Sequence, residues 1–420
     1  MKSFSLCPAI HFSSRIVALT FAASIIAGPF CGDVVAQEAA VTTAAPDQST
    51  LLTEAQLADG WISLFDGETL YGWKPTSDAN FRVENGTIVV DDGKAGFLRT
   101  TSQFSDYELH VEFSAPATTN SGVFLRTPPT PKNVAKDCYE VNIAPDDNDF
   151  PTAGIVKRIK AQAKGLGAGN KWQKFDIKAE GNKITVQLNG QVVTEYTDEA
   201  PVGRGYICLQ FRKGKIAFRN VRLRPLGMKS LFNGTDLTHW KEYPDMDSRF
   251  SVKEEDGEPV LHVANGRGQL ETTESFGDFV LQLECKTHAA SLNSGIFFRC
   301  IPGDTMMGYE SQIQNGFKDG DRSKPEDCGT GGIFRRQDAR RVVADDKKWF
   351  HKTLIVEGPH VAAWVNGYQV SDWSDTRKPH ENPRKGLRLE AGTLMIQGHD
   401  PTTDISFRNL QANEMTVRRP

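Results

Sequence analysis

The sequence predicts an all-β protein made of two tandem antiparallel β-sandwiches. Three observations carry this: one ordered set of motifs occurs twice, polar and apolar residues alternate with period two, and Asn-Gly pairs separate strand-like runs. LFDGETLYGW (Leu64–Trp73) returns as LFNGTDLTHW (Leu231–Trp240), TNSGVFLRT (Thr119–Thr127) as LNSGIFFRC (Leu292–Cys300), and YEVNI (Tyr139–Ile143) as YESQI (Tyr309–Ile313). The order never changes, so the chain is a tandem duplication of one domain rather than a solenoid of short units. In YELHVEF, Tyr107, Leu109, Val111 and Phe113 share one face and Glu108, His110 and Glu112 the other, the pattern of a half-buried strand. ITVQLNGQVV and AAWVNGYQV read as strand, type I′ turn, strand, because Asn-Gly supplies two positive φ angles.

Helix is sparse. In TEAQLADG, Thr53 and Gln56 have capping-box spacing and Gly60 can end a short helix. A length of 420 residues fits two or three domains. The 49 basic and 53 acidic residues nearly cancel, without the basic stripe that nucleic-acid binding needs.

At the N-terminus, Lys2 and Arg15 precede the apolar run IVALTFAASIIAGPF, and small residues follow in VVAQEA. That order predicts a secretory signal cleaved after Ala36, hence export to the periplasm or cell surface. Phe30 beside Cys31 argues against a lipoprotein anchor. No later stretch reaches the ~20 apolar residues of a membrane span, so the mature chain is expected to lack one. The predicted organisation is a signal peptide at 1–36, a leader with a short helix at 37–59, and domains at 60–226 and 227–415. Five cysteines remain after cleavage, without CxxC spacing; Cys300 and Cys328 are the expected pair.

The offset between copies grows from 167 residues at Leu64 and Leu231 to 189 at Phe218 and Phe407. The second copy therefore has longer loops, GFKDGDRSKPEDCGTGG and SDTRKPHENPRKG, and long polar loops are where function concentrates. Strand parity there places Gly295, Phe297 and Arg299 on one face, and Glu310 with Gln312, and Gln397 with His399, on faces of their own strands. If those strands are neighbours, a cation, a carboxylate, two amides and an imidazole line one surface suited to a polyhydroxylated ligand. The first copy offers Arg126, Glu140, Asn142 and Gln210, but its last segment, LQFRKGKIAFRN, has no histidine. Trp240, Trp364 and Trp373 are candidates for stacking on sugar faces. GLGAGNK lacks the Ser or Thr of a phosphate-binding loop, and DDNDF and DGDRSKPED lack EF-hand order, which leaves a divalent metal open.

The ordered set of LFDGETLYGW, NSGVFLR, YEVNI, the Trp-to-Asn-Gly hairpin and FRNV resembles the 3-keto-disaccharide hydrolase domain family, over both copies from about Gly60 to Leu410. The resemblance implies concanavalin A-like jelly rolls, export to the bacterial envelope, and action on glycosides oxidised to a ketone at sugar C3. The family's tail of Gln, a polar residue, His and then F-R-N is present as IQGHDPTTDISFRN and degraded in the first copy. The resulting expectation is a catalytic second copy. In it His399 or Glu310 is the base, Arg299 or a metal stabilises an enolate, and Gln312, Gln397 and Asn293 position hydroxyls. Arg126 and Glu140 would bind substrate in the first copy. The alternative is a non-catalytic tandem lectin-like protein in which both copies bind glycan. His399, present in one copy only, is the feature that separates the two.

Overall fold

The computed structural model describes residues 51–162 and 169–415. The expected signal peptide, its cleavage point, most of the leader and the first four residues of GLGAGNK lie outside the described residues. The rest is nearly all antiparallel β, in two sandwiches, each pairing an eight-stranded sheet with a five-stranded one.

The alternating strand Tyr107–Ser114 behaves as its sequence dictates. Its apolar residues are buried, while His110 meets Asp176 at 2.6 Å and Glu112 meets Arg219 at 2.7 Å on the other face. Both Asn-Gly pairs adopt the left-handed geometry of tight hairpins, with φ of 53° and 84° at Asn189-Gly190 and 47° and 73° at Asn366-Gly367. Thr53 and Gln56 close a capping box on the helix Glu54–Ala58. The L-F-x-G…W motif is a local brace: the indole nitrogens of Trp73 and Trp240 donate to the carbonyls of Leu64 and Leu231, the latter at 2.9 Å. Trp240 is therefore spent inside the fold and does not stack on a ligand.

The five-stranded sheet of the second copy runs Trp240–Lys241, Gly268–Phe276, Gly392–Gly398, Ser294–Cys300, Tyr309–Ile313. Ile296, Phe298, Ile313, Leu394 and Ile396 point into the sandwich core, so the alternate residues form its outer face. Parity fails at the end of Ser294–Cys300. The register shifts between Phe297 and Cys300, and Arg299 has a φ of 48°. This bulge turns the arginine away from the outer face. It is 1 % exposed and donates to the carbonyls of Gly277 (3.2 Å), Gly358 (2.5 Å) and Arg388 (3.1 Å) and to Asp278 Oδ1 (2.6 Å).

Arg126 repeats this geometry, with a φ of 50°. It donates to Ser105 O (2.7 Å), Gly181 O (2.7 Å), Val202 O (3.1 Å) and Asp106 Oδ1 (2.6 Å). The expectations that Arg299 sits beside Glu310 and that Arg126 binds substrate are thus corrected. Both arginines tie strand ends and hairpin turns together. A planar fork with five donors suits a buried pocket of carbonyl oxygens.

The bulge also moves Cys300 to the outer face, packed with Phe297, Met306 and Met395. Cys300 and Cys328 are separate free thiols, which corrects the expected pair; the first abuts Gly308 and the second Gly332.

The two sandwiches share core. Trp364, 1 % exposed, packs with Val280, Ile355, Ala362 and Met415 into the first copy's apolar cluster, and its indole donates to Ser63 O at 2.9 Å. Trp364 thus seals the domain junction and is not a sugar platform. Polar contacts ring it: Arg204 meets Asp278 at 2.6 Å and Arg340 meets Asp66 at 2.9 Å.

Removing a buried arginine strands its carboxylate and several carbonyls. Arg299→Met and Arg126→Met should therefore each lower unfolding free energy by about 3 kcal/mol or more, by similar amounts. Urea denaturation of the full chain checks this; a midpoint unchanged in either variant would contradict the clamp.

Candidate functional site

Cross-strand register builds the outer face of the second copy's five-stranded sheet in two rows. One holds Glu271, Met395, Phe297 and Glu310; the other holds Gln269, Gln397, Gly295 and Gln312. The expected meeting of Glu310, Gln312 and Gln397 therefore occurs. Gly295 makes it possible, because a Cβ there would lie 2.7 Å from Glu310 Oε1. The carboxylate folds over the glycine and lies flat against the sheet.

Loops close the face from three sides. Gln269 accepts from Met306 N at 2.6 Å and so clasps the 301–308 loop over Phe297. Arg384, from the long SDTRKPHENPRKG loop, lies 5.0 Å from the Phe297 ring centroid and 3.4 Å from Glu310 Oε2. Asp327, from the other long loop, accepts from Asn293 Nδ2 at 2.5 Å and from Gln312 Nε2 at 2.9 Å. Arg384 and Asp327 were not singled out by sequence reasoning. Their loops were, but parity cannot place a loop side chain.

The hydrogen-bond pattern has a direction. A carboxylate can face only the NH₂ end of an amide, so Asp327 forces the oxygens of Asn293 and Gln312 to point elsewhere. Asn293 Oδ1, Gln312 Oε1 and Gln397 Oε1 are all buried without a hydrogen-bond partner. A buried unpaired acceptor costs about 1–3 kcal/mol. Donors brought to these oxygens by a bound ligand would offset that cost.

Glu310 is 6 % exposed, and its pKa is pushed up to about 7. Burial is the main cause; Arg384 and His399 oppose it, and Asp327 adds to it. His399 lies just past the strand Gly392–Gly398, at the rim and exposed. Its Nδ1 is held by Asp400 at 2.8 Å and its backbone N–H by Thr403 Oγ1 at 2.9 Å. The strand carrying Glu310 and Gln312 is braced from within the core. Lys352 Nζ donates to Ser311 O at 3.0 Å and Gln312 O at 2.8 Å, and burial lowers its pKa to about 7. The first copy has Phe175 at this place.

The matching face of the first copy keeps part of the arrangement. Glu140 is 8 % exposed with its pKa raised by burial to about 7, opposed by Arg212. Gln210 Oε1 is buried without a partner, while Asn142 Nδ2 is satisfied by Phe150 O. Phe97 and Arg99 stand where the second copy has Gln269 and Glu271. Arg99 stacks on Tyr206 at 4.1 Å.

The chain belongs to the 3-keto-alpha-glucoside-1,2-lyase-like domain family, whose model matches residues 60–224 and 227–413. A Bacteroides thetaiotaomicron protein named 3-keto-disaccharide hydrolase is 26 % identical over 171 residues, which cover 33 % of this chain and 59 % of that protein. Among solved structures, a candidate glycosyl hydrolase from Parabacteroides distasonis is 20 % identical with a TM-score of 0.37, over 42 % of this chain and 98 % of its own. The carbohydrate-binding module CBM66 of Bacillus subtilis is 16 % identical with a TM-score of 0.29, over 36 % of this chain and 94 % of its own.

Glu310 gives a thermodynamic signature. Its folded pKa near 7 exceeds the ordinary 4.5, so the folded state binds the extra proton and stability falls as pH rises through that interval. Glu310→Gln should stabilise the protein by roughly 3 kcal/mol at pH 8, and the gain should vanish near pH 4.5. Thermal melts of both proteins across this range check it; a destabilised variant at pH 8 would refute the burial argument.

Proposed function

We propose that the second copy cleaves glycosides carrying a ketone at sugar C3, with Glu310 as the base. The observation that carries this reading is a buried carboxylate, with a pKa of about 7, among three unpaired amide oxygens and one arginine. Family membership supports the substrate class.

A C3 ketone acidifies the proton on C2. Glu310 takes that proton, and the electron pair of the C2–H bond passes into the enolate. Arg384, 3.4 Å from Glu310, stabilises the enolate oxygen in this reading, the task that the family resemblance gave to Arg299 or a metal. Collapse of the enolate restores the ketone, forms the C1–C2 double bond and breaks the bond from C1 to the glycosidic oxygen. The leaving oxygen receives a proton from Glu310 or from His399, whose Nδ1 is anchored by Asp400. Water added across C1–C2 completes a net hydrolysis; release before that step makes the reaction a lyase. Asn293, Gln312 and Gln397 accept from hydroxyls and fix the ring. A base poised near neutral pH has the driving force and the correct charge state together. The first copy, with Glu140 and Gln210 but no histidine at the place of His399, serves as scaffold and secondary carbohydrate surface. The N-terminal signal pattern supports action outside the cytoplasm.

The lectin-like reading predicts binding without turnover. It is separated by incubating the full chain with a panel of 3-keto-glycosides and measuring released aglycone. Release is expected, with kcat/KM rising through about pH 7 as Glu310 ionises. Glu310→Gln should lower kcat by about 10²–10⁴-fold and remove that limb. Glu140→Gln in the first copy should leave kcat within about twofold. Saturable binding with no release by any substrate would favour the lectin.

Arg384→Ala tests the replacement for Arg299. A loss of about 10²-fold in kcat is expected with the melting temperature little changed, since Arg384 is partly exposed at the rim. A change in KM alone would reassign Arg384 to binding.

A further inference from the structure

A second group of chemistry-bearing side chains lies on the eight-stranded sheet of the second copy, away from the face that carries Glu310. His262 comes from the strand Glu258–Ala264, His288 from the residue after Phe279–Thr287, and Asp404 from the start of Asp404–Glu414. These three strands are adjacent, with Asp404–Glu414 in the middle. One ligand atom from each of the three side chains lies within 4.8 Å of the others. His262 Nε2 is 2.8 Å from Asp404 Oδ1, and His288 Nε2 is 2.9 Å from Ser406 Oγ and 3.6 Å from Glu255 Oε2.

We propose that His262, His288 and Asp404 form a divalent transition-metal site of the zinc class, which staples together two loops of the candidate active site. Two imidazoles and a carboxylate are a donor set that borderline metals prefer over calcium or magnesium. The site is open on one side. His262 is only 7 % exposed, whereas the Asp404 side chain is half exposed, so an ion can enter and keep water or Glu255 as a further ligand. Glu255 and Asp256 hold Lys286, at 2.7 and 3.3 Å, and Lys253 is the lysine whose charge acts on His262. Both imidazoles already bond through Nε2 to side-chain oxygens two residues apart on one strand, Asp404 and Ser406.

The placement gives the site its role. His288 opens the loop that ends at Asn293, and Asp404 closes the loop that begins at His399. His288 N already donates to Asp404 O at 3.0 Å, and Thr403 Oγ1 accepts from the backbone N–H groups of His399 and Asp400. An ion bound to both ends adds a rigid link beneath the loops that present Asn293 and His399. The first copy has Val89, Pro116 and Lys215 at the matching register positions, none of which can ligate with its neighbours. Among the described residues the cluster thus occurs only in the copy with His399. The metal site itself stands on these residues whether or not the catalytic reading holds.

Full-length protein stripped with a chelator and titrated with zinc chloride at pH 7.5 tests the proposal by calorimetry. One zinc per chain is expected. His288→Gln and Asp404→Asn should each weaken binding by at least about 100-fold, while Glu310→Gln leaves it unchanged. Melts in chelator confirm that the variants fold. Hydrogen exchange with and without zinc reads the staple, with slower exchange expected in residues 288–293 and 399–404. No stoichiometric binding, or binding indifferent to both substitutions, overturns the site. Binding that leaves exchange in both loops unchanged overturns the staple.

Discussion

Each sandwich depends on one buried arginine at the end of a bulged strand. Arg126 and Arg299 leave their strands through left-handed backbone and reach into pockets of carbonyl oxygens contributed by turns far apart in sequence. A twisted sandwich leaves such carbonyls at its ends with no strand to pair with. The guanidinium satisfies several at once, and Asp106 or Asp278 balances its charge. The bulge lies beyond Gly295 and Phe297, which keep regular pairing on the outer face, where Glu310 can lie over the glycine. The clamp thus anchors the end of the strand whose outer face carries the candidate chemistry.

This accounts for what could be read in advance. Repetition, alternation and Asn-Gly turns express backbone geometry directly, so two sandwiches and their hairpins follow from local pattern. Glu310, Gln312 and Gln397 came together because their strands keep strict parity up to the site. Arg299 was misplaced because one residue with positive φ shifts every later side chain by one face, and nothing in F-F-R announces a bulge. Its recurrence in both copies favoured a structural role, since the features peculiar to the second copy, His399 and the long loops among them, are elsewhere. Arg384 and Asp327 reach the site through loop conformations that have no periodicity to read. The tryptophans illustrate the same limit: Trp240 and Trp364 were visible as aromatic residues, but a partner carbonyl or a domain junction is a tertiary fact.

The duplicated scaffold separates what folding requires from what the site adds. The arginine clamps, the Trp-to-carbonyl braces and a buried glutamate with pKa near 7 occur in both copies. Lys352, Gln269, Glu271, Arg384, Asp327 and His399 belong to the second. Burying Lys352 where the first copy has Phe175 is a costly choice for a core, offset by its two bonds to the strand that bears Glu310 and Gln312. The unpaired amide oxygens of Asn293, Gln312 and Gln397 are likewise groups held at a stability cost.

Asp278 is bound by Arg299 of its own sandwich and by Arg204 of the other. The first sandwich precedes the second along the chain, in synthesis and in export alike, so its arginine can stand ready first. The second must then finish against a partner tethered by a few residues, which keeps the local concentration high and the wait short. Until it docks, the surface around Trp364 is open to other chains. Tandem order on one polypeptide thereby acts as a built-in chaperone, and a split into two genes would forfeit it.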